Sequence, residues 1–402
     1  MSIFGSAFRV STFGESHGIA VGCVCDGVPA GLKFGSDDVQ PFLNRRRPGQ
    51  SAITTSRNET DEVEILSGVE SGKTLGTPVA MIVRNMDQRK IEYEETAVVP
   101  RPGHADYTYQ MKYGIRASSG GGRSSARETV GRVCAGALAT KFLQYQHNVH
   151  IVAFVDSVME IQLPTDVLDT LISEPPTCAE VDSLSTLTMH QECYKDPDGR
   201  DYSLIDGASL NLESISPSHS QIYTRCPHGP TSARIAARIS QMKQEKDSCG
   251  GTIVCVISNL PVGLGEPVFD KFHAELSKAM MSIPAVKGFE IGSGFHGSKT
   301  MRGSEHNDSF VGTSTSGILS TSTNFCGGIL GGITNGQNVY IRVAFKPVSS
   351  IGVSQHTASF HGNMVDLELK GRHDPCVLPR AVPIVEAMAA ITVMDFILRK
   401  KF

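Results

Sequence analysis

Two histidines lie in loops from which a side chain could transfer a proton. His17 is in the motif GESHG at residues 14–18, and His104 is in the motif RPGHAD at residues 101–106. Glycine or proline interrupts both motifs, and catalytic side chains concentrate in such loops. Because imidazole titrates near neutral pH, it can donate or accept a proton there. The pattern predicts catalysis at both histidines, with a hydrogen bond inside the loop as the structural alternative, and the absence of HEXXH spacing predicts no metal site.

A second pattern places basic residues beside glycine and proline. Arg45 to Arg47 precede a Pro-Gly pair, Arg372 lies in the motif GRHDP at 371–375, and Lys346 opens the motif KPVSS at 346–350. A guanidinium binds carboxylate or phosphate through two hydrogen bonds, although a run of arginines can also be a solvated surface. The chain carries 37 Lys and Arg against 41 Asp and Glu, a net charge of −4. We therefore predict a small polyanionic ligand and no nucleic-acid partner.

A third pattern is the glycine-rich motif GGGRSSARE at residues 120–128. Glycines before a helix expose backbone N–H groups that suit an anion, and Arg123 and Arg127 add positive charge. The spacing from Ser125 to Glu128 predicts a capping box at the start of that helix. The lysine that a phosphate-binding P-loop requires is missing, and an ordinary flexible turn is the alternative.

The elements that must position these loops form a mixed pattern. Short β-branched runs predict strands, and apolar residues at helical spacing predict three helices, without strict alternation between the two types. This order favours an α+β fold over a doubly wound sheet. The predicted strands are 20–25, 63–66, 79–83, 151–155, 252–257 and 339–345, and the predicted helices are 126–144, 267–281 and 383–398.

Composition places the 402 residues in one soluble globular class, with 40% hydrophobic residues, 40 glycines and no tryptophan. We predict a single domain over residues 1–402, with a polar surface insertion within 156–225. The apolar stretch 381–398 contains Pro383, Glu386 and Asp395, so no membrane span is predicted. Ten scattered cysteines and no secretory signal predict reduced thiols in a cytoplasmic protein.

Taken together, the motifs closely resemble those of the chorismate synthase family, nearest to its fungal and protozoan members. The resemblance runs through most of residues 1–155, 226–300 and 324–398. It is carried by FGESHG at 13–18, RRRPGQS at 45–51, RPGHAD at 101–106, GGGRSSARE at 120–128, SIPAVKGFEIG at 282–292 and GRHDP at 371–375.

This resemblance implies a fold, a reaction and an assembly. The fold is a sandwich of antiparallel β-sheets around a central helical layer, assembled as a homotetramer. The reaction is the anti-1,4-elimination of phosphate from 5-enolpyruvylshikimate-3-phosphate, which gives chorismate and requires reduced FMN. Added NADPH:flavin reductase activity, with NADPH as a second cofactor, is the alternative, although no GXGXXG strand–turn–helix unit for a dinucleotide is predicted. A non-enzymatic module that binds RNA or phosphate through the three arginines is a further alternative.

The resemblance also implies roles for individual residues. His17 would protonate the departing phosphate, with Ser16 as a relay, while His104 would lie near flavin N1 and Asp374 near flavin N5. The expected substrate ligands are Arg46, Arg47, Arg101, Ser125, Arg127 and Arg372. The expected cofactor ligands are Arg123, Ser124, Ser125, Pro284, Ala285, Gly331, Lys346, Pro347, Val348, Ser349, Ser350 and Arg372. Ala52 departs from the family pattern, in which Arg or Lys is usual, so the sequence predicts weaker anion binding there.

Overall fold

The strands form where β-branched runs predict them, with small shifts at the ends. The computed structural model describes residues 2–55, 57, 59–86, 98–117, 120–190, 193–203, 221–312, 319–369 and 374–400. In the strand Val339–Phe345, the apolar residues at every second position are buried, which is the period expected of a strand with one covered face. The strands are β1 Ile3–Phe4, β2 Arg9–Phe13, β3 Ala20–Asp26, β4 Val63–Ser67, β5 Val69–Glu70, β6 Lys73–Thr74, β7 Val79–Arg84, β8 His150–Val158, β9 Ile161–Gln162, β10 Thr186–His190, β11 Cys193–Lys195, β12 Asp201–Ser203, β13 Gln221–Tyr223, β14 Gly251–Ser258, β15 Val286–Ile291, β16 Phe310–Val311, β17 Ser320–Thr321, β18 Ile329–Leu330, β19 Ile333–Thr334, β20 Val339–Phe345, β21 Gln355–Ala358 and β22 Met364–Leu367.

All three predicted helices form, and two of them are the longest in the described chain. Two short 3₁₀ turns, Gly122–Ser124 and Ala126–Glu128, come before the first of the three. The α-helices are α1 Ser36–Arg46, α2 Asp106–Tyr113, α3 Thr129–His147, α4 Thr165–Ser173, α5 Cys178–Leu184, α6 Gly229–Gln244, α7 Phe272–Met281, α8 Gly294–Thr300, α9 Gly303–His306 and α10 Leu378–Arg399.

Two antiparallel five-stranded sheets enclose a helical layer. One sheet has the order β1-β2-β3-β7-β4 and the other the order β15-β20-β14-β8-β9. Helix α3 packs on β2 and β3 of the first sheet, α10 packs on β8 and β14 of the second, and the two helices pack against each other. This arrangement confirms the α+β sandwich around a central helical layer.

Two glycines on α3 make this close packing possible. A Cβ atom at Gly136 would lie 2.3 Å from the Cβ of Ala387 on α10. A Cβ atom at Gly131 would lie 2.4 Å from the carbonyl oxygen of Gly22 on β3. Since real side chains do not approach this closely, α3 can touch both neighbours only through glycine.

Helix α10 is a core helix. Its length and apolarity would suffice to cross a membrane, but its whole apolar window is buried inside the protein. The carboxylates that interrupt its apolar sequence have partners, because Glu386 pairs with Arg45 and Asp395 pairs with Arg399. Such pairing is what allows charged residues inside an apolar layer.

The described part of segment 156–225 contains regular elements and buried charges. It begins inside β8 and continues through α4, α5 and the small sheet of order β12-β11-β10-β13. Near its end, buried Arg225 donates 2.7 Å hydrogen bonds to Asp182 and to the carbonyl of Pro379 on α10. The described part is therefore tied to the core, and residues 191, 192 and 204–220 lie outside the described chain. That the segment is an insertion stays a prediction.

One GXGXXG match does follow a strand and open a helix, contrary to the sequence-based expectation. It is GSGFHG at 292–297, which begins directly after β15 and forms the first turn of α8. However, β15 pairs antiparallel with β20, and α8 has only seven residues, so no parallel βαβ unit is formed. A Cβ atom at Gly292 would overlap the carbonyl oxygen of Phe325, so this glycine is needed for close packing of the chain. The match therefore gives no support to a dinucleotide site.

Candidate active site

A single large cavity collects most of the predicted site residues. Its volume is about 1450 Å³, and the loops after β2, β7 and β20, the glycine-rich motif and the start of α10 surround it. Arg47 and Gly331 are not among the lining residues, and Arg372 lies outside the described chain. The predicted residues that line it are Ser16, His17, Arg46, Arg101, His104, Arg123, Ser124, Ser125, Arg127, Pro284, Ala285, Lys346, Pro347, Val348, Ser349, Ser350 and Asp374.

The glycine-rich motif runs between the two histidines. A Cβ atom at Gly120 would lie 2.5 Å from Nδ1 of His17, and one at Gly121 would lie 3.2 Å from Nε2 of His104. The hydroxyl of Ser16 lies 3.0 Å from His17 Nδ1, within hydrogen-bond distance. Thus the sequence-predicted pair of Ser16 and His17 is formed, and both imidazoles face the same stretch of backbone.

The side chains of Arg123 and Ser124 hold this motif in place through hydrogen bonds. Arg123 donates to the carbonyl of Gly14 at 3.1 Å and to the hydroxyl of Thr12 at 2.7 Å. Ser124 donates to the carbonyl of Gly121 at 2.6 Å. These contacts fasten the loop to the end of β2, so the glycine backbone and the side chains of Ser125 and Arg127 are left to face a ligand. The cofactor roles of Arg123 and Ser124 stay predictions.

The predicted capping box at this motif is wrong. Ser125 accepts a hydrogen bond from the backbone N–H of Arg127 at 3.2 Å, which caps a 3₁₀ turn and not α3. The Glu128 carboxylate does not return to the cap but pairs with Arg132 one turn later, at 2.9 Å. Since α3 begins at Thr129, the S-x-x-E spacing lies before the helix and cannot cap it.

His104 is held by a buried ion pair. Its Nδ1 lies 2.9 Å from Asp106 Oδ1 and 3.0 Å from Nη2 of Arg101. Arg101 donates to the same carboxylate from that Nη2 at 2.9 Å and from Nε at 2.7 Å. Burial alone would raise the pKa of Asp106, but the hydrogen bonds from Arg101 and His104 hold it well below its usual range. Lys346 and Ser349 both donate to the carbonyl of Gly103, which fixes the same loop from the other side.

Buried arginines surround one carboxylate beneath the cavity. Asp61 is fully buried, forms an ion pair with Arg127 and lies 3.5 Å from Nη1 of Arg46. Burial together with the positive charge of Arg380 and other arginines lowers the pKa of Arg46 to about 9, although Asp61 opposes this effect. The guanidinium of Arg46 therefore lies buried among other positive charges.

Several guanidinium N–H groups in this cluster lack a hydrogen-bond acceptor. Among the described residues, the buried atoms without one include Nη1 of Arg46, Nη2 of Arg127 and Nε of Arg47. A buried donor without an acceptor costs about 1–3 kcal/mol, and more when it is charged. Because Arg46 and Arg127 line the cavity, an anionic ligand there would supply acceptors that the protein does not. The direct role of Arg47 stays a prediction.

The carboxylate of Asp374, four residues before α10 begins, has two partners. One oxygen accepts the backbone N–H of Thr55 at 3.0 Å, and the other forms an ion pair with Arg380. The carboxylate thereby joins the 51–57 loop to α10 at the cavity wall. A role for Asp374 near a flavin stays a prediction.

Gly331 and Ala52 lie apart from the cavity. Gly331 is in the turn between β18 and β19 with a φ of +62°, and its role toward a cofactor stays a prediction. Nζ of Lys243, on α6, donates to the carbonyl oxygen of Ala52 at 2.7 Å. The ammonium group of Lys243 therefore lies beside Ala52, the position at which the family pattern has Arg or Lys.

Sequence reasoning missed four further arginines on the cavity wall, namely Arg57, Arg116, Arg132 and Arg380. Arg57 pairs with Glu59, Arg132 donates to the hydroxyl of Ser282 at 2.6 Å, and Arg380 pairs with Asp374. A signal was present for two of them, because Arg132 and Arg380 interrupt the otherwise apolar helices α3 and α10. A charge on such a helix is costly unless it is paired or binds a ligand.

We expect Gly120→Ala to lower activity by displacing His17. The added Cβ would meet His17 Nδ1 at 2.5 Å and the Ser16 hydroxyl at 2.9 Å, so the imidazole must move. The matched control is Gly72→Ala, because Gly72 has a similar φ of +72° but no neighbour within 4 Å of the added atom. Both variants should lose about 1 kcal/mol of stability from backbone strain. Only Gly120→Ala should lose turnover, and equal turnover in the two would contradict the geometry.

Comparison with known proteins gives a consistent result. The family model described as chorismate synthase matches residues 8–398. The chorismate synthase of Schizosaccharomyces pombe is 50% identical over 398 residues, covering 99% of this chain and 96% of that protein. A chorismate synthase of Saccharomyces cerevisiae is 48% identical over 401 residues, covering 100% of this chain and 97% of that protein. A crystal structure of chorismate synthase superimposes with a TM-score of 0.67 at 27% identity, covering 99% of this chain and 93% of that one.

Proposed function

The chain belongs to the chorismate synthase family, and from this premise we propose that its cavity converts 5-enolpyruvylshikimate-3-phosphate into chorismate. The enzyme is a carbon–oxygen lyase: the bond from a ring carbon to the phosphate oxygen breaks, a ring proton leaves, and a double bond forms. The observation that carries the proposal is the set of buried guanidinium N–H groups without acceptors beside two histidines.

The charge of the substrate fits that cluster. The substrate has two carboxylates and a phosphate, and each can accept paired hydrogen bonds from a guanidinium. Arg46, Arg127 and Arg101 would bind these groups, and Ser125 would add a hydroxyl. Arg372, outside the described residues, is included in the proposal on the resemblance alone. Because the arginines are held by Asp61 and Asp106, their geometry is set before the substrate arrives, which lowers the entropic cost of binding.

Proton transfer would be carried out by the histidines. The phosphate leaves as an anion, so a proton delivered to its oxygen would stabilise the departing group. His17 would donate that proton, with the Ser16 hydroxyl at 3.0 Å as the group that orients or replenishes it. His104 lies on the other side of the glycine-rich motif, where it would hold a proton near the second ligand. Asp374 would help to receive the proton that leaves the ring, so the acid and the base are separate groups.

The cavity also fits reduced FMN as a second ligand. Its volume of about 1450 Å³ exceeds that of most pockets built for one small molecule. The glycine backbone at 120–122 leaves room for a flat ring, and the 346–350 loop supplies Lys346 and two serines for the phosphate. Pro284 and Ala285 would form an apolar wall, and Asp374 would lie at the opposite end. When bound, reduced FMN supplies an electron-rich ring that assists phosphate loss in a redox-neutral reaction.

Assembly and location complete the proposal. Homotetramer formation would be measured by analytical ultracentrifugation, and a stable monomer that turns over would contradict it. The cytoplasm is the proposed compartment. Added NADPH:flavin reductase activity is not part of the proposal, because the GXGXXG match at 292–297 forms no parallel βαβ unit for a dinucleotide.

An anaerobic assay tests the proposed reaction. The purified protein is mixed with photoreduced FMN and the substrate, and phosphate release and chorismate absorbance are followed together. We expect equimolar phosphate and chorismate with reduced FMN and neither product with oxidised FMN. Folded protein that binds both ligands but forms no chorismate would overturn the lyase assignment.

A further inference from the structure

A buried carboxylate lies directly behind His104, on the side away from the glycine-rich motif. Asp106 is 4% exposed, and its Oδ1 lies 2.9 Å from Nδ1 of His104. The other imidazole nitrogen, Nε2, is the one that faces Gly121 and the cavity. The two nitrogens of this ring therefore have different surroundings: one meets a fixed anion, and the other meets the ligand space.

The hydrogen-bond chemistry around Nδ1 favours a proton on that nitrogen. A carboxylate can only accept and a guanidinium can only donate. Nη2 of Arg101 lies 3.0 Å from His104 Nδ1 but also 2.9 Å from Asp106 Oδ1, so Asp106 can satisfy that donor. With a proton on Nδ1, His104 and Arg101 both donate to Asp106, and the one unfavourable contact is between the two donors, Nδ1 and Nη2, at 3.0 Å. With the proton on Nε2, the carboxylate would face a nitrogen lone pair.

The charged groups around His104 explain why Asp106 matters. Arg101 is on its own loop, Arg116 follows α2 with Nη1 3.8 Å from Asp106, and Lys346 reaches the same loop from the end of β20. These cations disfavour a positive charge on the imidazole, while Asp106 favours it. The contacts from Arg101 keep Asp106 ionised, so its charge is present throughout the neutral range.

We propose that Asp106 is a positioning residue that holds His104 with its proton on Nδ1 and stabilises the imidazolium, so that Nε2 exchanges the proton with the bound ligand. The proposal rests on the proposed role of His104. The alternative is structural: Asp106 begins α2 and binds Arg101, and it would then affect activity through Arg101 and the loop without changing His104.

The tautomer of His104 can be measured without any turnover. Nitrogen-15 NMR of the histidine side chains distinguishes the two neutral tautomers and gives the titration midpoint of each imidazole. In the wild-type protein we expect neutral His104 to be protonated on Nδ1. Neutral His104 protonated on Nε2 would overturn the proposal, whether or not the protein proves to be a lyase.

The variant Asp106→Asn then separates the two explanations. It keeps the size of the side chain but gives it an amide N–H that can donate to Nδ1, so we expect a larger share of neutral His104 to carry its proton on Nε2. At neutral pH, kcat should fall about 10- to 100-fold, the usual cost of losing the outer partner of a functional histidine.

A double-mutant cycle and a matched control complete the test. In the His104→Ala background, adding Asp106→Asn should change kcat by less than about twofold, because the partner is gone. An undiminished effect in that background would show that Asp106 acts through Arg101 and would overturn the proposal. The control is Asp366→Asn, which removes the carboxylate 2.8 Å from Nδ1 of exposed His356 on the β21–β22 hairpin. It should change the nitrogen-15 signals of His356 and leave kcat unchanged.

Discussion

His17→Ala should lower kcat by about 10²–10⁴-fold, the usual contribution of a general acid. The phosphate would then leave without a proton donor at its oxygen, while the arginine cluster that binds the substrate stays intact. Binding should therefore change much less than turnover. The measurement is anaerobic steady-state kinetics with reduced FMN, together with a direct titration of substrate binding.

Two comparisons make this result specific to proton donation. His296→Ala removes an exposed imidazole that does not line the cavity, and it should leave kcat unchanged. Added imidazole should restore part of the activity of His17→Ala, because a small acid can enter the space left by the ring. Full activity in His17→Ala would mean that the resemblance assigns this residue the wrong role.

The strands and the helical layer could be predicted because their signals are local. The predicted strand 339–345 is β20 without any change, since alternating Val, Ile and Phe residues define both its ends and its buried face. The helix predicted to begin at residue 267 instead begins at Phe272. Phe269 falls at helical spacing within the predicted range 267–281, but it lies before the helix and is 87% exposed. Periodicity alone cannot distinguish a buried phenylalanine from an exposed one.

The loops that form the site could be predicted from their residue types, whereas their partners could not. Arg127 is recognisable within a glycine-rich motif, but its carboxylate partner Asp61 lies 66 positions earlier in the chain. Asp374 and Thr55 are 319 positions apart. Such contacts depend on how α1, α3 and α10 pack, and no local pattern encodes them. His104 and Asp106 are only two positions apart, so their contact could have been predicted from the RPGHAD motif.

Arg127→Met should reduce both stability and substrate binding. The side chain donates to Asn85 at 2.8 Å and pairs with Asp61, so its loss leaves a fully buried carboxylate with one guanidinium nitrogen at 3.5 Å. Removing one partner of a buried pair costs about 3–5 kcal/mol. Loss of charged hydrogen bonds to the substrate should cost about another 1.5–3 kcal/mol of binding. Urea unfolding measures the first effect and calorimetric titration of the substrate the second.

A second substitution at Asp61 separates these two effects. Asp61 has a φ of +50°, a left-handed conformation that Asn adopts readily, so Asp61→Asn keeps the backbone unstrained. In the double variant Arg127→Met with Asp61→Asn, one buried charge of each sign is removed, and part of the lost stability should return, the remainder being lost because Arg46 then lacks its carboxylate. Substrate binding should stay weak, because the guanidinium is still missing. Tight binding by the double variant would show that Arg127 supports the fold and does not contact the substrate.

A surface ion pair provides the reference for this prediction. Arg9 pairs with Asp26, and the two side chains are 52% and 43% exposed. Solvent screens such a pair, so Arg9→Met should change the free energy of unfolding by less than about 1 kcal/mol and leave binding unchanged. The large difference expected between Arg9→Met and Arg127→Met follows from burial, since the same ionic contact is screened in one place and indispensable in the other. A comparable loss of stability in both would contradict the buried environment assigned to Asp61.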